Sequence, residues 1–224
     1  MASILKRLLP LTAALALAGV TGAAQATVTV YTSLSSFLAA VGTTGTDTFA
    51  GLSITGTTAT PINRTAGAFS YVGTVINNTP TATGTHTFFG GGTTADPFLA
   101  TNIAGDGMSF SGFSAGVVAA GGNFFASSAA GLYTAGSVTV TATDASGTIT
   151  QVITPTSITA GSFLGFVSTT GVTSFTVTSV IAGASIWPSV DNLVLATAVP
   201  EPSTYAMLLA GLGLTGFAAR RRRA

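Results

Sequence analysis

Apolar residues alternate with threonine along several short segments, and this two-residue period constrains the fold more than any other feature. In the clearest segment Val138, Val140 and Ala142 are separated by single threonines. Because successive side chains of a strand point to opposite faces, this pattern predicts one buried and one wet face. Threonine is common in strands, and 36 threonines lie between residues 27 and 199. The middle of the chain therefore predicts antiparallel sheet.

A tight turn follows this segment, since Asp144 and Gly147 stand at the first and last positions that a type I turn favours. The turn predicts a hairpin over 138–153. Further alternating or apolar runs predict a series of short strands whose spacing is typical of an antiparallel β-sandwich. The predicted strands are 27–31, 47–52, 68–72, 86–89, 108–113, 123–126, 138–143, 148–153, 163–167, 174–180 and 192–196, with loops at 55–65 and 90–94.

One helix is expected inside this domain. Leu34, Phe37, Leu38 and Val41 recur at helical spacing. Ser33 precedes them as a candidate N-cap, and Gly42 follows as a terminator. The core is expected to be rich in phenylalanine, which buries a large apolar area per residue. The expected core phenylalanines are Phe37, Phe49, Phe110, Phe113, Phe125, Phe163, Phe166 and Phe175.

The charges of the middle segment exclude several functions. Residues 27–199 hold one basic side chain of the Lys or Arg type, Arg64, against five aspartates. Nucleic-acid binding needs clustered basic side chains that displace counterions from phosphates, so we exclude nucleic acid as a partner. The chain has no cysteine, which excludes disulfides, thiolate nucleophiles and cysteine-ligated metals.

The first 26 residues have the three parts of a secretory signal peptide. Lys6 and Arg7 form a short basic stretch, an apolar run follows, and small residues at Ala24 and Ala26 mark a cleavage site after Ala26. The apolar run of about 13 residues is too short to cross ~30 Å of hydrocarbon at 1.5 Å per residue. We therefore predict export and removal of residues 1–26.

The last 25 residues form a second separate unit. Val199 leads into Pro200, Glu201 and Pro202, whose prolines keep this stretch extended and accessible. The uncharged segment 206–219 predicts a short transmembrane helix. The four arginines Arg220, Arg221, Arg222 and Arg223 then stop translocation and hold that end in the cytoplasm. The domains are thus 1–26, 27–199 and 200–224.

This order of a Pro-Glu-Pro tripeptide, a short apolar helix and a terminal arginine cluster resembles the PEP-CTERM sorting signal of Gram-negative exosortase substrates. The resemblance implies a membrane-tethered precursor and recognition by an exosortase, a membrane-embedded enzyme that resembles a cysteine transpeptidase. It further implies removal of the tail and delivery to the cell surface or to an exopolysaccharide matrix. The processing chemistry belongs to that enzyme, so no catalytic residue is assigned to this chain.

The middle domain resembles the jelly-roll-type sandwiches found upstream of such tails. The segments that carry this resemblance are 113–125, 138–153, 163–168 and 186–193. In jelly-roll carbohydrate-binding folds a calcium ion commonly joins an early acidic residue to one near the last strand. The resemblance therefore implies Asp47, Asp191 and Asn192 as candidate calcium ligands, and calcium is the one cofactor kept open.

Two other activities have a motif but little support. Gly112-Phe113-Ser114-Ala115-Gly116 matches the nucleophile elbow of serine hydrolases, yet His86, the only histidine, precedes Ser114, and no helix is expected after Gly116. Threonines at alternate positions, as in 81–87 and 139–143, place hydroxyls on one strand face in the manner of ice-binding arrays. No constant repeat extends either run.

The chain is therefore interpreted as a non-enzymatic, exported surface or matrix protein associated with exopolysaccharide, as in a biofilm matrix. The alternative is a carbohydrate-binding module, possible with or without calcium. In that alternative Trp187, Tyr71 or Tyr133 would line a groove and stack against sugar rings.

Overall fold

The computed structural model describes residues 27–180, 185–199 and 208–212. In chain order the strands up to the middle of the domain are β1 (Val28–Tyr31), β2 (Thr44–Asp47), β3 (Thr57–Thr58), β4 (Ile62–Ala66), β5 (Phe69–Ile76), β6 (Phe88–Gly92), β7 (Pro97–Thr101) and β8 (Gly107–Ser111). The others are β9 (Ala119–Ser127), β10 (Tyr133–Thr134), β11 (Val138–Asp144), β12 (Gly147–Ile153), β13 (Phe163–Ser168), β14 (Ser174–Ser179) and β15 (Trp187–Ala196). Helix α1 (Leu34–Ala39) lies between β1 and β2.

These strands form two antiparallel sheets. Sheet A has the order β1-β13-β9-β15-β7-β6-β3, with β10 paired to β9 and β2 paired to β15, and sheet B has the order β12-β11-β14-β8-β5-β4. A single apolar cluster joins the two sheets: Phe124 and Leu195 of sheet A belong to it together with Phe110 and Phe175 of sheet B. The predicted all-β antiparallel sandwich is confirmed.

The hairpin predicted over 138–153 is present as β11 and β12. Its register runs from Val138 against Ile153 to Asp144 against Gly147. Val138, Val140 and Ala142 are fully buried, and the threonines between them are half-buried on the opposite face. The alternation that predicted this hairpin therefore describes its two faces correctly.

Helix α1 has the predicted N-cap, because the Ser33 hydroxyl accepts a hydrogen bond from the Ser36 amide. The predicted apolar stripe is only half buried: Phe37 and Val41 are inside, whereas Leu34 and Leu38 are exposed. The helix lies on the outer face of sheet A, where the missing side chain of Gly165 leaves room for the Phe37 ring. With little more than one turn, the helix covers sheet A through one large side chain.

The apolar core contains more phenylalanines than expected. Seven of the eight predicted ones are buried, and Phe113 is half-buried. Phe88, Phe98 and Phe124 are fully buried although the sequence did not single them out. Phe98 packs against Phe125 with ring centroids 4.9 Å apart, in a small cluster separate from the core between the sheets. Sheet A thus has apolar clusters beyond the one that it shares with sheet B.

Three local predictions are wrong. The strand expected at 47–52 lies earlier, as β2, because the chain turns at Phe49, whose φ is 54°. The region 55–65, expected to be a loop, contains β3 and most of β4, and residues 90–92 of the second expected loop belong to β6. Strand β7 begins at Pro97, which follows an exposed turn at Asp96, and its residues show no alternation of apolar and polar side chains.

The two ends of the chain lie largely outside the described residues. The predicted signal peptide with Ala24 and Ala26 falls there entirely, and so does most of the predicted C-terminal helix, of which 208–212 are described and helical. Among the described residues no helix is long and apolar enough to span a membrane. Strand β1 starts at Val28 and β15 ends at Ala196, whereas the domain limits at 26 and 199 stay predictions.

Candidate functional site

Buried carboxylates are the main polar feature of the sandwich. Four of the five aspartates between residues 27 and 199 are at most 6% exposed, namely Asp47, Asp106, Asp144 and Asp191. The sequence placed one of them, Asp144, in an ordinary turn. Burial of a charge is costly unless it is paired or well hydrogen-bonded. Each of these carboxylates therefore needs hydrogen-bond donors or a cation in the fold.

Asp47 links the two sheets at the end of β2. Its Oδ2 accepts hydrogen bonds from Arg64 Nε at 2.6 Å and from the Tyr71 hydroxyl at 2.6 Å. Its Oδ1 accepts from Arg64 Nη2 at 2.7 Å and from the Phe49 amide at 2.8 Å. Arg64 also lies over the Phe49 ring, 5.2 Å from its centroid. The only Lys or Arg side chain of the domain is thus held in a two-pronged ion pair.

The protonation states of the two partners suit this arrangement. The hydrogen bond to Asp47 raises the pKa of Arg64, so the guanidinium stays charged. Burial raises the pKa of Tyr71 well above its usual range, with the Asp47 charge adding to the effect. Tyr71 therefore remains a hydrogen-bond donor to the carboxylate at any physiological pH.

Asp144 makes a second link between the sheets. At the hairpin turn its Oδ1 accepts from the amide and the hydroxyl of Ser146, at 2.7 and 2.6 Å. Its Oδ2 accepts from the Ser168 hydroxyl of β13 at 2.7 Å. The hydrogen bonds from Ser146 and then Ser168 lower the pKa of Asp144 to about 2. A turn residue on sheet B is thus also a contact to sheet A.

Asp106 fastens the long loop between β5 and β6. The carboxylate is fully buried. It accepts from the Thr79 hydroxyl at 2.7 Å and from the Asn78 amide at 3.3 Å, while His86 Nδ1 lies 2.6 Å from its other oxygen. His86, expected at the start of a strand over 86–89, instead precedes β6 and belongs to a part-buried polar contact. This contact holds loop 77–87 against the residues that precede β8.

Asp191 sits at a bulge of β15, where the pairing with β9 shifts between Asp191 and Val194. Asn192 has a φ of 50° and donates to the Asp191 carboxylate through its amide at 2.7 Å and its side chain at 2.9 Å. Burial raises the pKa of Asp191 to about 6, with the charge of Asp96 adding to the effect. The Asp191 carboxyl therefore titrates close to neutral pH.

The structure does not bring the candidate calcium ligands together. Asp47 faces the interior, where both of its oxygens are occupied by Arg64 and other donors. Asp191 follows Val190, which points into the same interior, so its carboxylate lies on the other face of sheet A. Within the described ranges no three His, Cys, Asp or Glu side chains could hold a metal ion together. These residues do not fit one shared ion, and calcium binding stays a prediction.

The candidate nucleophile Ser114 has no histidine partner. Its hydroxyl accepts from the Ser70 amide at 3.3 Å, and its own amide donates to the Ser70 carbonyl. His86 is engaged by Asp106 instead. Residues 112–116 connect β8 to β9 without a helix, so the strand-turn-helix context of a nucleophile elbow is not formed here.

Sheet B presents a face of hydroxyl groups to solvent, and we call the outward side chains of β4, β5, β8, β14, β11 and β12 the hydroxyl face. Directly paired residues share a face, and one cross-strand row runs Thr150, Thr141, Thr176, Ser109 and Thr74. Thr141 and Thr150 are hydrogen-bonded at 2.9 Å. In contrast, all four threonines at 81–87 lie outside the strands. The array is thus built across strands.

An open groove of about 440 Å³ lies along β4 and β5 at one side of the hydroxyl face. Asn63, Thr65, Ser70, Val72 and Gly112 line it, together with Arg64 and Tyr71. The groove offers amide and hydroxyl groups to a ligand.

The three aromatic candidates for sugar stacking are engaged within the fold. Tyr71 is buried against Asp47. The half-buried Tyr133 and Trp187 donate to the Pro155 and Asn102 carbonyls at 2.8 and 3.2 Å. They form no stacking platform.

Strand β15 ends at Ala196, and the chain then passes through Val199 toward the tail. Residues 198–223 match the model of the PEP-CTERM protein-sorting motif. The tail carries this sorting motif. It confirms the resemblance that Pro200, Glu201, Pro202 and Arg220–Arg223 predicted, although these residues lie outside the described ones.

Comparison with other known proteins adds little to this. No curated protein matches the chain. A solved structure of a family 6 carbohydrate-binding module is 17% identical, over 56% of this chain and 94% of that one, with a TM-score of 0.29. A similarity at that level says nothing about what the present sandwich binds.

Replacing Arg64 by methionine is expected to destabilise the protein by about 3–5 kcal/mol, because it leaves the Asp47 charge buried without its cation. The free energy of unfolding in urea measures this effect. As a control, the double variant Asp47→Asn/Arg64→Met removes both charges and should lose less than the sum of the two single variants. Additive losses would contradict a direct ion pair.

Asp191 is expected to make the protein more stable as the pH falls from about 6 to about 4. Its folded pKa of about 6 lies above the ordinary value of 3.8, so in this range the folded form binds the proton and the unfolded form does not. Asp191→Asn should reduce the difference between pH 7 and pH 4 by about 1–2 kcal/mol, since one pKa unit corresponds to about 1.4 kcal/mol.

Asp144→Asn is the matched control, because the lowered pKa of Asp144 stabilises the fold above pH 4 and this contribution is lost between about pH 4 and pH 2. The substitution Asp144→Asn should therefore change the pH dependence of stability only below about pH 4. Equal pH profiles of wild type and Asp191→Asn, measured by thermal melting, would show that Asp191 is not the group responsible.

Proposed function

We propose that this chain is the precursor of a non-enzymatic surface or extracellular-matrix protein of a Gram-negative bacterium. The signal peptide at 1–26 directs export, the tail holds the precursor in the membrane, and an exosortase-type enzyme then removes the tail. The β-sandwich is the product delivered to the cell surface or to the exopolysaccharide-rich biofilm matrix.

The observation that carries this proposal is the sorting motif at 198–223. It begins two residues after the end of β15, a strand that pairs with β9, β7 and β2 inside sheet A. A cut in the Pro-Glu-Pro region would therefore leave every strand of the sandwich intact. The sequence order of fold, cleavable linker and membrane segment is the order that such processing requires.

The polar groups of the sandwich support a structural or binding role. Asp47, Asp106 and Asp144 each hold separate parts of the fold together. Two carboxylates that act together on a glycosidic bond must face one another across a cleft. Of the aspartates in the described domain only Asp96 is exposed, so its acidic groups serve the interior rather than an open reaction site.

The processing step is tested by the mass of the protein released from a host that contains an exosortase. The released form is expected to lack Arg220–Arg223 and to begin after Ala26. The triple change Pro200→Ala, Glu201→Gln and Pro202→Ala should leave a full-length tail in the membrane fraction, while the adjacent control Ser203→Ala should be processed normally. Released protein that still ends in the arginine cluster would refute the proposal.

A second candidate function is binding of a neutral polysaccharide along the hydroxyl face, and the groove beside β4 and β5 favours it. Sugar hydroxyls need both donors and acceptors, and Asn63, Thr65 and Ser70 supply them at the groove. The face has no charged side chain that would select an ionic polymer, because Arg64 is turned toward Asp47. Association with exopolysaccharide would follow directly from such a site.

Affinity electrophoresis in gels that contain neutral polysaccharides tests this second function. The wild-type protein is expected to be retarded, and Asn63→Ala/Thr65→Ala should weaken binding about thirtyfold, as loss of two hydrogen bonds of about 1 kcal/mol each implies. Thr148→Ala, on the same face but outside the groove, should bind like wild type. Unretarded wild type in every gel would exclude the second function.

A further inference from the structure

Strand β12 lies at one edge of sheet B, where among the described residues it pairs with β11 alone. Its register starts at the two-residue turn, with Asp144 directly opposite Gly147. In such a hairpin the pair that closes the turn is hydrogen-bonded, and bonded pairs then alternate. The backbone N–H and C=O groups of β12 therefore point toward β11 at Gly147, Ile149, Gln151 and Ile153. They point outward, away from β11, at Thr148, Thr150 and Val152.

The bonds on the other side of β11 support this assignment. The Val180 amide donates to the Ser137 carbonyl at 3.3 Å. The backbone N–H and C=O groups of the odd-numbered residues of β11 thus point toward β14. Those of the even-numbered residues, including Asp144, point toward β12. Among the described residues, none hydrogen-bonds to the backbone of Thr148, Thr150 or Val152. The outer edge of β12 is a row of unpaired donors and acceptors.

Proteins usually protect such an edge with a charge, a proline, a bulge or a very short strand. Strand β12 has seven residues without charge or proline, its register with β11 is unbroken, and Val152 is 57% exposed. The other outer strands are guarded. β1 has four residues and β3 two, and β4 follows Pro61 and carries Arg64. The β12 edge is the exception.

We propose that the β12 edge binds the β12 edge of a second copy of this chain, so that two six-stranded sheets join into one. This pairing is independent of sorting and of polysaccharide binding. Two identical strands that meet antiparallel are related by a two-fold axis, and each supplies the same row of groups. Outward backbone groups are found on β12 only at Thr148, Thr150 and Val152. The register between the two β12 strands that forms most hydrogen bonds therefore places the two-fold axis between the two Thr150 residues.

In this register Thr148 of one copy lies opposite Val152 of the other. Each of the three outward residues of a strand exchanges both of its backbone hydrogen bonds with the residue opposite. The side chains of these pairs lie on the hydroxyl face, so Thr150 meets Thr150 and the exposed Val152 is covered by a threonine methyl group. No charged side chain lies on either strand.

The charge of the domain favours a second copy over a partner of different chemistry. An uncharged edge offers nothing by which a charged partner would be selected. Repulsion between the two edges is small as well, because no charged side chain lies on β12 and Asp47 is paired with Arg64. The nearest carboxylate, Asp144, is bonded to Ser146 and Ser168. The strand itself is thus the matching partner.

The chain has no cysteine, which permits a clean cross-linking test on the full chain exported to an oxidising periplasm. Hydrogen-bonded antiparallel neighbours have Cα atoms about 5.5 Å apart, within the range of about 4.4–6.8 Å that a disulfide spans. Thr150→Cys is expected to give a covalent dimer on a non-reducing gel. The matched control Thr65→Cys, on the same face at the opposite edge of sheet B, should give roughly tenfold less dimer, since only paired residues reach a high effective concentration.

Two further experiments keep the test decisive if a single change disturbs folding. Co-expressed Thr148→Cys and Val152→Cys chains should cross-link with each other more than either does alone, which checks the register. Thr150→Pro removes an outward amide without removing a bond to β11. It should convert the dimer into a monomer in sedimentation experiments while its melting behaviour stays close to that of a wild-type monomer. Equal cross-linking at Thr150 and Thr65, or a wild-type protein that sediments as a monomer, would overturn the proposal.

Discussion

The sandwich depends on the bonding of Asp47 between its two sheets. This carboxylate stands at the end of β2, and its donors Arg64 and Tyr71 come from the neighbouring strands β4 and β5 of the other sheet. A buried ion pair of this kind need not add net stability, but it penalises every arrangement in which one partner is left alone. The pair therefore selects one relative position of two sheets whose apolar residues could otherwise slide past each other.

The local parts of this fold could be predicted from the sequence. The β11–β12 hairpin and the Ser33 cap of α1 each depend on residues within a few positions of one another, so their signals lie in short segments. The sorting motif is local in the same sense. Strand β7 was missed because its place in sheet A depends on pairing with the distant β15 as well as with β6. Strand β4 was missed although it forms a local hairpin with β5, with Ala66 opposite Phe69.

The buried aspartates could not be assigned from local patterns, because their partners are remote. Tyr71 is 24 residues from Asp47, and Ser168 is 24 residues from Asp144. One signal was nevertheless present. The domain has a single arginine and no lysine, so this arginine is the one Lys or Arg side chain with which any of the five carboxylates can pair. A lone base in an acidic, apolar domain is a good candidate for a buried pair.

Internal use of the charged groups also explains the nature of the surface. With four aspartates and the arginine turned inward, the outside of sheet B is left with hydroxyl and methyl groups. Such a face is neither repelled by a copy of itself nor attracted to a polyion. Pairing through β12 would place the row that contains Thr150 and Thr141 in line with the same row of the second copy. The combined hydroxyl face would then be twice as long as that of one copy. Two weak polysaccharide sites, one on each copy, would act together as one divalent site without any new contact to the polysaccharide.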